Sequence, residues 1–280
     1  MNCAWQAYLN LLPISLRSIV DKLGREGLQE LRLRLGQKAE LILKSGAVIS
    51  DQYISYEELQ YCLNMASGYS PWSASTIRSG FITAPGGHRI GVCGEVSTYN
   101  GKMNGVRYPG MICIRVARDF PGIAAPLKDI TGSVLIIGKP GCGKTTLLRD
   151  LIRQKSTLVN GDICVIDERQ EIFPRINNGY CFDPGMRTDI LSGCSKREGI
   201  INAIRCMNPS WIAVDEITAT EDCQAFTYAG WCGIDLIATA HAGSKDDLFT
   251  RPIYSEIIKS GLIKNLIILN KDQSWIVERM

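Results

Sequence analysis

No stretch of this 280-residue sequence approaches the roughly 18–20 consecutive apolar residues that a helix needs to cross a bilayer. The opening residues carry no basic cluster ahead of an apolar run, so no secretory signal is expected. Charge of one sign is scarce too. The 31 Lys and Arg against 28 Asp and Glu leave a net charge of +3, too little for a chain-wide polybasic grip on nucleic acid. Histidine occurs only twice, and neither repeats nor low-complexity segments are present. Cysteine is the exception, with 11 residues. Their number is odd and several sit inside apolar runs (Val92-Cys93-Gly94, Ile163-Cys164-Val165), which indicates thiols in a reducing compartment rather than a disulfide scaffold.

What is present is an ordinary globular balance, 45% hydrophobic and 21% charged, over a length suited to two modest domains. Two prolines and a glycine between Asp119 and Pro126 interrupt every regular pattern. The reading therefore places an N-terminal domain at 1–125 and a second at 126–280. Basic residues outnumber acidic ones in the first and are balanced in the second. The first reads as α+β. Apolar residues at helical spacing follow Pro13, Leu31 to Leu35 alternates strictly as a strand, and Ser55 with Glu58 forms a capping box that opens a helix to about Ser67. Short strands are expected at 40–44 and 47–49, and two antiparallel strands at 88–96 and 111–117 joined by a long turn. The second half alternates short β-branched runs (133–137, 163–166, 211–214, 234–239) with helices, which implies a parallel sheet buried on both faces. Ligands of such sheets bind at the carboxyl ends of the strands.

The candidate chemistry lies at those ends. Gly138-Lys139-Pro140-Gly141-Cys142-Gly143-Lys144-Thr145 matches GxxxxGK[ST] after a strand and before a helix. Its glycines let backbone N–H groups turn toward phosphate oxygens, with Thr146 continuing the helix start. Lys144 is expected to reach the β- and γ-phosphates of ATP, and the Thr145 hydroxyl to ligate Mg²⁺. Cys142 reads as a small loop residue. The run Trp211 to Val214 ends in Asp215, suited to the hydrated metal, and Glu216, suited to activating water. A second run ends in Asp167, Glu168 and, beyond Arg169, Glu171. These are carboxylates that would repel one another unless metal or basic partners neutralise them. A third ends in His241, placed to sense the γ-phosphate. Arg187, Thr188 and Asp189 are expected in a loop.

The order of these boxes resembles the secretion ATPases of type II and type IV pilus systems, and more closely the stage III sporulation AA family. The matching residues are Gly143 to Ile152, Val165 to Glu171, Arg187 to Lys196, Ile204 to Pro209 and His88 to Glu95. The resemblance implies an α/β P-loop NTPase core of RecA-like or AAA type with a smaller N-terminal α+β domain. It implies a homohexameric, Mg²⁺-dependent ATPase on the cytoplasmic side of the mother-cell membrane, peripheral to membrane proteins of a sporulation channel. It also implies arginines supplied to the neighbouring subunit, with Arg89, Arg115 and Arg118 as candidates. The pilus enzymes' Glu-Asp-Pro box is here Asp167-Glu168-Arg169, so Glu216, Asp167 and Glu168 all stay open as the catalytic acid. A nucleotide-gated scaffold or a nucleic-acid translocase on a related core are the alternatives. The second lacks an aromatic stacking platform.

Overall fold

A computed structural model describes residues 1–69, 80–158, 161–176 and 179–280, with only the backbone of Lys102 and Ile176. The chain divides into two compact units. One comprises Met1–Asp119 with Pro174–Cys181, the other Phe120–Phe173 with Phe182–Met280. The sequence expectation of a break at 125/126 thus meets a division at 119/120, and a short later segment returns to the first unit.

The first unit is built on a six-stranded antiparallel sheet, ordered β3-β2-β1-β6-β5-β4. Its strands are β1 Leu28–Arg34, β2 Lys38–Leu43, β3 Gly46–Tyr53, β4 Phe81–Thr83, β5 Arg89–Tyr99 and β6 Lys102–Arg115. The alternation seen in β1 has its physical consequence here. Leu31 and Leu33 are fully buried while Arg32 faces away. The core they enter includes Tyr8, Leu16, Val20, Leu59, Ile90 and Ile114, drawn from helices Trp5–Asn10, Ile14–Gly27 and Tyr56–Ser67 as well as the sheet. The capping box at Ser55 is formed, its hydroxyl accepting from the Glu58 amide at 3.2 Å.

The expected long turn between β5 and β6 is a correction. The strands run to a two-residue loop, Asn100 and Gly101, both at positive φ (50° and 72°), with Tyr99 paired to Lys102. This is the mirror-image turn that matches strand twist, and Asn-Gly is its strongest sequence signal.

The second unit is a seven-stranded sheet ordered β11-β8-β12-β13-β7-β14-β15, parallel except for the edge pair β14–β15. Its strands are β7 Ser133–Gly138, β8 Ile163–Asp167, β11 Thr188–Ser192, β12 Trp211–Val214, β13 Asp235–Ala240, β14 Ile263–Leu269 and β15 Trp275–Arg279. Strands β9 Arg175–Ile176 and β10 Gly179–Tyr180 pair separately within the first unit. Every residue of β7, β8 and β12 is buried, as a sheet covered on both faces requires. Thr188 and Asp189, expected in a loop, instead start edge strand β11, parallel to β8. Among the described residues, no helix is long and apolar enough to cross a membrane.

His88 shows how the first unit holds a neutral imidazole. It is fully buried, its Nε2–H donating to Ala4 O and its Nδ1 accepting from the Ala117 amide, each at 3.0 Å. Burial pushes its pKa down to about 4, helped by the charge of Arg118, although the bond to Ala4 pulls the other way. A histidine with a depressed folded pKa binds fewer protons folded than unfolded, so stability falls as pH drops. The loss is expected between about pH 6.5 and pH 4 and to reach roughly 3 kcal/mol. Denaturant melts across that range should show the slope, and His88→Gln should flatten it.

Candidate functional site

The loop between β7 and helix Lys144–Lys155 is shaped by its glycines: Gly141 and Gly143 take positive φ (78° and 98°), and Gly138 has no room for a side chain. A Cβ on Gly138 would lie 2.5 Å from Cys142 Sγ and 3.0 Å from Leu269 O. Gly143 caps the helix at φ 98°, and no side chain caps that end, so its first amides remain available to an anion. Lys139, Pro140 and Gly141 are exposed, whereas Cys142 is buried against Gly138. Lys144 folds back over the loop. Its ammonium donates to the carbonyls of Gly138 (2.9 Å) and Lys139 (3.2 Å) and lies 3.1 Å from His241 Nδ1.

Strand order brings the other candidates here. β13 lies between β7 and β12, pairing Ala240 with Ile137 on one side and Ala238 with Val214 on the other. The residues just past these pairs therefore converge. Thr145 Oγ1 donates to Asp215 Oδ2 at 2.7 Å, and the hydroxyl of the fully buried Thr239 donates to Asp215 Oδ1. The same Thr239 oxygen accepts from the Glu216 amide at 2.7 Å. Glu216 takes a left-handed backbone (φ 55°), a costly conformation for a non-glycine residue that turns the chain at the strand end. One of its oxygens is bonded by His241 Nε2, the other by Arg169 at 2.8 Å. Burial raises the Glu216 pKa, but the hydrogen bond and charge of His241, then the charges of Arg169 and Lys144, outweigh it and hold the carboxyl below its usual range.

The acids after β8 divide differently from the sequence expectation. Asp167, almost fully buried, is committed to the backbone. It accepts from the amides of Glu171 (2.9 Å), Ile172 (3.1 Å) and Phe173 (2.9 Å). Burial pushes its pKa up to about 6, with Asp215 adding to the rise, against these amides and Arg149, which favour the anion. Arg149 grips the same segment from the other side, donating to the carbonyls of Ile172 (2.6 Å) and Glu171 (2.9 Å). Glu168 pairs with buried Lys196 at 2.5 Å. A small cleft lined by Asp167, Glu168, Arg169, Lys196, Asp215 and Glu216 lies between the ends of β8 and β12.

On the far side of the phosphate loop is a second cavity. Phe120, Ile123, Cys142, Thr146, Leu269 and Trp275 are among its walls. Sequence reasoning did not single out Thr239, Arg149, Lys196 or Trp275 for this site. A threonine in an apolar strand and charged residues on a helix carry no distinctive spacing.

The candidate arginines of the first unit have partners within it. Arg89 and Arg115 are directly opposed across β5 and β6. Arg89 stacks on the Phe81 ring at 4.1 Å, and Arg115 bonds Glu30 at 3.2 Å. Arg118 donates to the carbonyls of Arg25 and Leu28. Arg187 donates to Leu158 O at 2.7 Å.

Comparison with known proteins fits this geometry. The family model described as Sporulation stage III, protein AA matches residues 4–276. Stage III sporulation protein AA of Bacillus subtilis (strain 168) is 36% identical over 259 residues, covering 86% of this chain and 83% of that protein. The Legionella pneumophila ATPase DotB superposes with a TM-score of 0.61 at 15% identity, over 96% of this chain and 80% of that one. The pilus retraction motor PilT with bound ADP gives 0.59 at 14%, over 90% and 76%. At these identities the likeness shows the fold, that of the secretion P-loop ATPases. Mixed parallel and antiparallel sheets agree with it.

If Asp167 acts by holding the 171–173 segment, Asp167→Ala leaves its amides without an acceptor. It should lower stability by about 2–4 kcal/mol in denaturant melts, and Asp167→Asn by less.

Proposed function

Because the chain belongs to the Sporulation stage III, protein AA family, we propose that it is a Mg²⁺-dependent ATPase driving a secretion-like channel complex in sporulation. The observation that supports hydrolysis most directly is the convergence of Lys144, Thr145, Asp215, Glu216 and His241 at one end of the sheet, where Lys144, His241 and Glu216 are bonded in sequence and Thr145 bonds Asp215.

In this reading, the loop from Gly138 to Thr146 wraps the phosphates of ATP with its backbone amides. Lys144 exchanges its carbonyl partners for phosphate oxygens. The cavity beside Thr146 and Trp275 takes the base. The donor set suits a hard cation, since the Thr145 hydroxyl and Asp215 carboxylate already touch. Mg²⁺ would be held there by Thr145 and Asp215 and would supply positive charge against the phosphate oxygens. Glu216 accepts a proton as a water oxygen attacks the γ-phosphorus and the bond to the ADP oxygen breaks. His241, between Lys144 and Glu216, reports whether the γ-phosphate is present. Asp167 holds the segment beside the site, and Glu168 with Lys196 forms part of the cleft wall.

Assembly completes the site. We assign it a homohexamer on the cytoplasmic face of the mother-cell membrane, docked on membrane proteins of the stage III channel. Arg89 or Arg115 of one subunit reaches the phosphates bound by the next. A guanidinium matches phosphate oxygens bidentately and stabilises the charge that develops in transfer. Arg118 donates to carbonyls of its own unit, and Arg89 and Arg115 would exchange the Phe81 ring and Glu30 for phosphate oxygens.

Lys144→Ala should weaken ATP binding at least about 100-fold by calorimetry. Glu216→Gln should keep wild-type affinity while turnover falls roughly 10²- to 10⁴-fold. Unchanged affinity in the first variant, or unchanged turnover in the second, refutes the assignment.

A further inference from the structure

We propose that Arg169 is a positioning residue for Glu216, fixing the plane of its carboxylate so that one oxygen faces the attacking water. This rests on the reading of Glu216 as the water-activating group. β12 lies between β8 and β13, and Glu216 follows its last residue by two positions. A donor reaches it from each flanking strand end. His241, one residue past β13, bonds one oxygen, and Arg169, two residues past β8, bonds the other. Two donors on two oxygens, from opposite sides, remove the rotation that a single bond would leave. Backbone rotation is restrained as well, because the Glu216 amide is tied to Thr239.

Arg169 is itself aimed by a built turn. The Gln170 amide donates to Asp167 O at 3.2 Å and Gln170 sits at φ 54°, folding the chain back immediately after Arg169. The Asp167 carboxylate caps the amides that follow. The guanidinium itself is half exposed. A pair this open contributes about 0–1 kcal/mol to folding, so stabilising the fold is a poor account of the Arg169–Glu216 pair. Orientation of a reacting group is the better one, because rate is sensitive to displacements that stability hardly registers. Lysine at this position could hold the charge but not the planar fork.

The test compares Arg169→Ala, Arg169→Lys and Arg169→Gln in the full chain. Each is assayed for kcat, KM and ATP affinity, using single-turnover hydrolysis where steady-state rates fall below detection. Arg169→Ala is expected to lower kcat about tenfold, with KM and affinity within twofold of wild type. Lysine should recover part of the loss and glutamine less. Combined with Glu216→Gln, the alanine change should add nothing, since the group it positions is gone. An unchanged or raised kcat in Arg169→Ala overturns the proposal. So does a loss of affinity that accounts for the rate, which would make Arg169 a nucleotide ligand. So does a further loss on the Glu216→Gln background. Failure of the underlying reading is seen separately, as wild-type turnover in Glu216→Gln alone. Should the alanine variant fold poorly, the lysine and glutamine variants decide the same question.

Discussion

The insertion of β13 between β7 and β12 is the constraint on which the site depends. Parallel strands in fixed register deliver the residues after their last pairs to one edge, at the spacing of neighbouring strands. With β13 in the middle, the phosphate loop and the Asp215-Glu216 pair stand one strand apart, and the gap is filled by what β13 carries. Thr239 bridges to Asp215 and to the Glu216 backbone, and His241 bridges Lys144 to Glu216. A one-residue slip of β13 would turn Thr239 to the opposite face of the sheet and remove both of its bonds.

That edge concentrates charge, and the distribution of partners explains how it folds. Four acids gather at the ends of β8 and β12, and each has a different solution. Asp167 accepts from three amides, Glu168 takes a buried lysine, Asp215 takes two hydroxyls, and Glu216 takes a histidine and an arginine. Hydroxyls carry no charge, so these two bonds orient Asp215 without neutralising it. The other three are neutralised or committed.

How legible this was differed element by element. The runs of β7, β8 and β12 were plain because they are buried throughout and apolar apart from Ser133 and Asp167, and the glycines and lysine between Gly138 and Lys144 were plain from their spacing. β11 was not, since a half-exposed edge strand that begins Thr188-Asp189 looks like loop. Nor was the buried side of helix Lys144–Lys155. Arg149, Asp150, Arg153 and Lys155 carry no apolar signal, yet all four are buried and tie down neighbouring loops. Periodicity reports where apolar groups lie. Charged groups that are buried because they bind backbone carbonyls and amides leave no such trace. The tight turn at Asn100 and Gly101 is different, because its signal was present and a long connection was read through it.

The return of Pro174–Cys181 to the first unit has a consequence for how the polypeptide is made. Domains form largely in the order they leave the ribosome. Here the first unit includes residues that emerge only after the phosphate loop, its helix and β8 have been synthesised. Residues 1–119 can therefore collapse early around their own sheet but lack their final pair of strands until the second unit is partly formed. The two units are interleaved in time although each is compact, and a fragment ending at the linker is an incomplete version of the first.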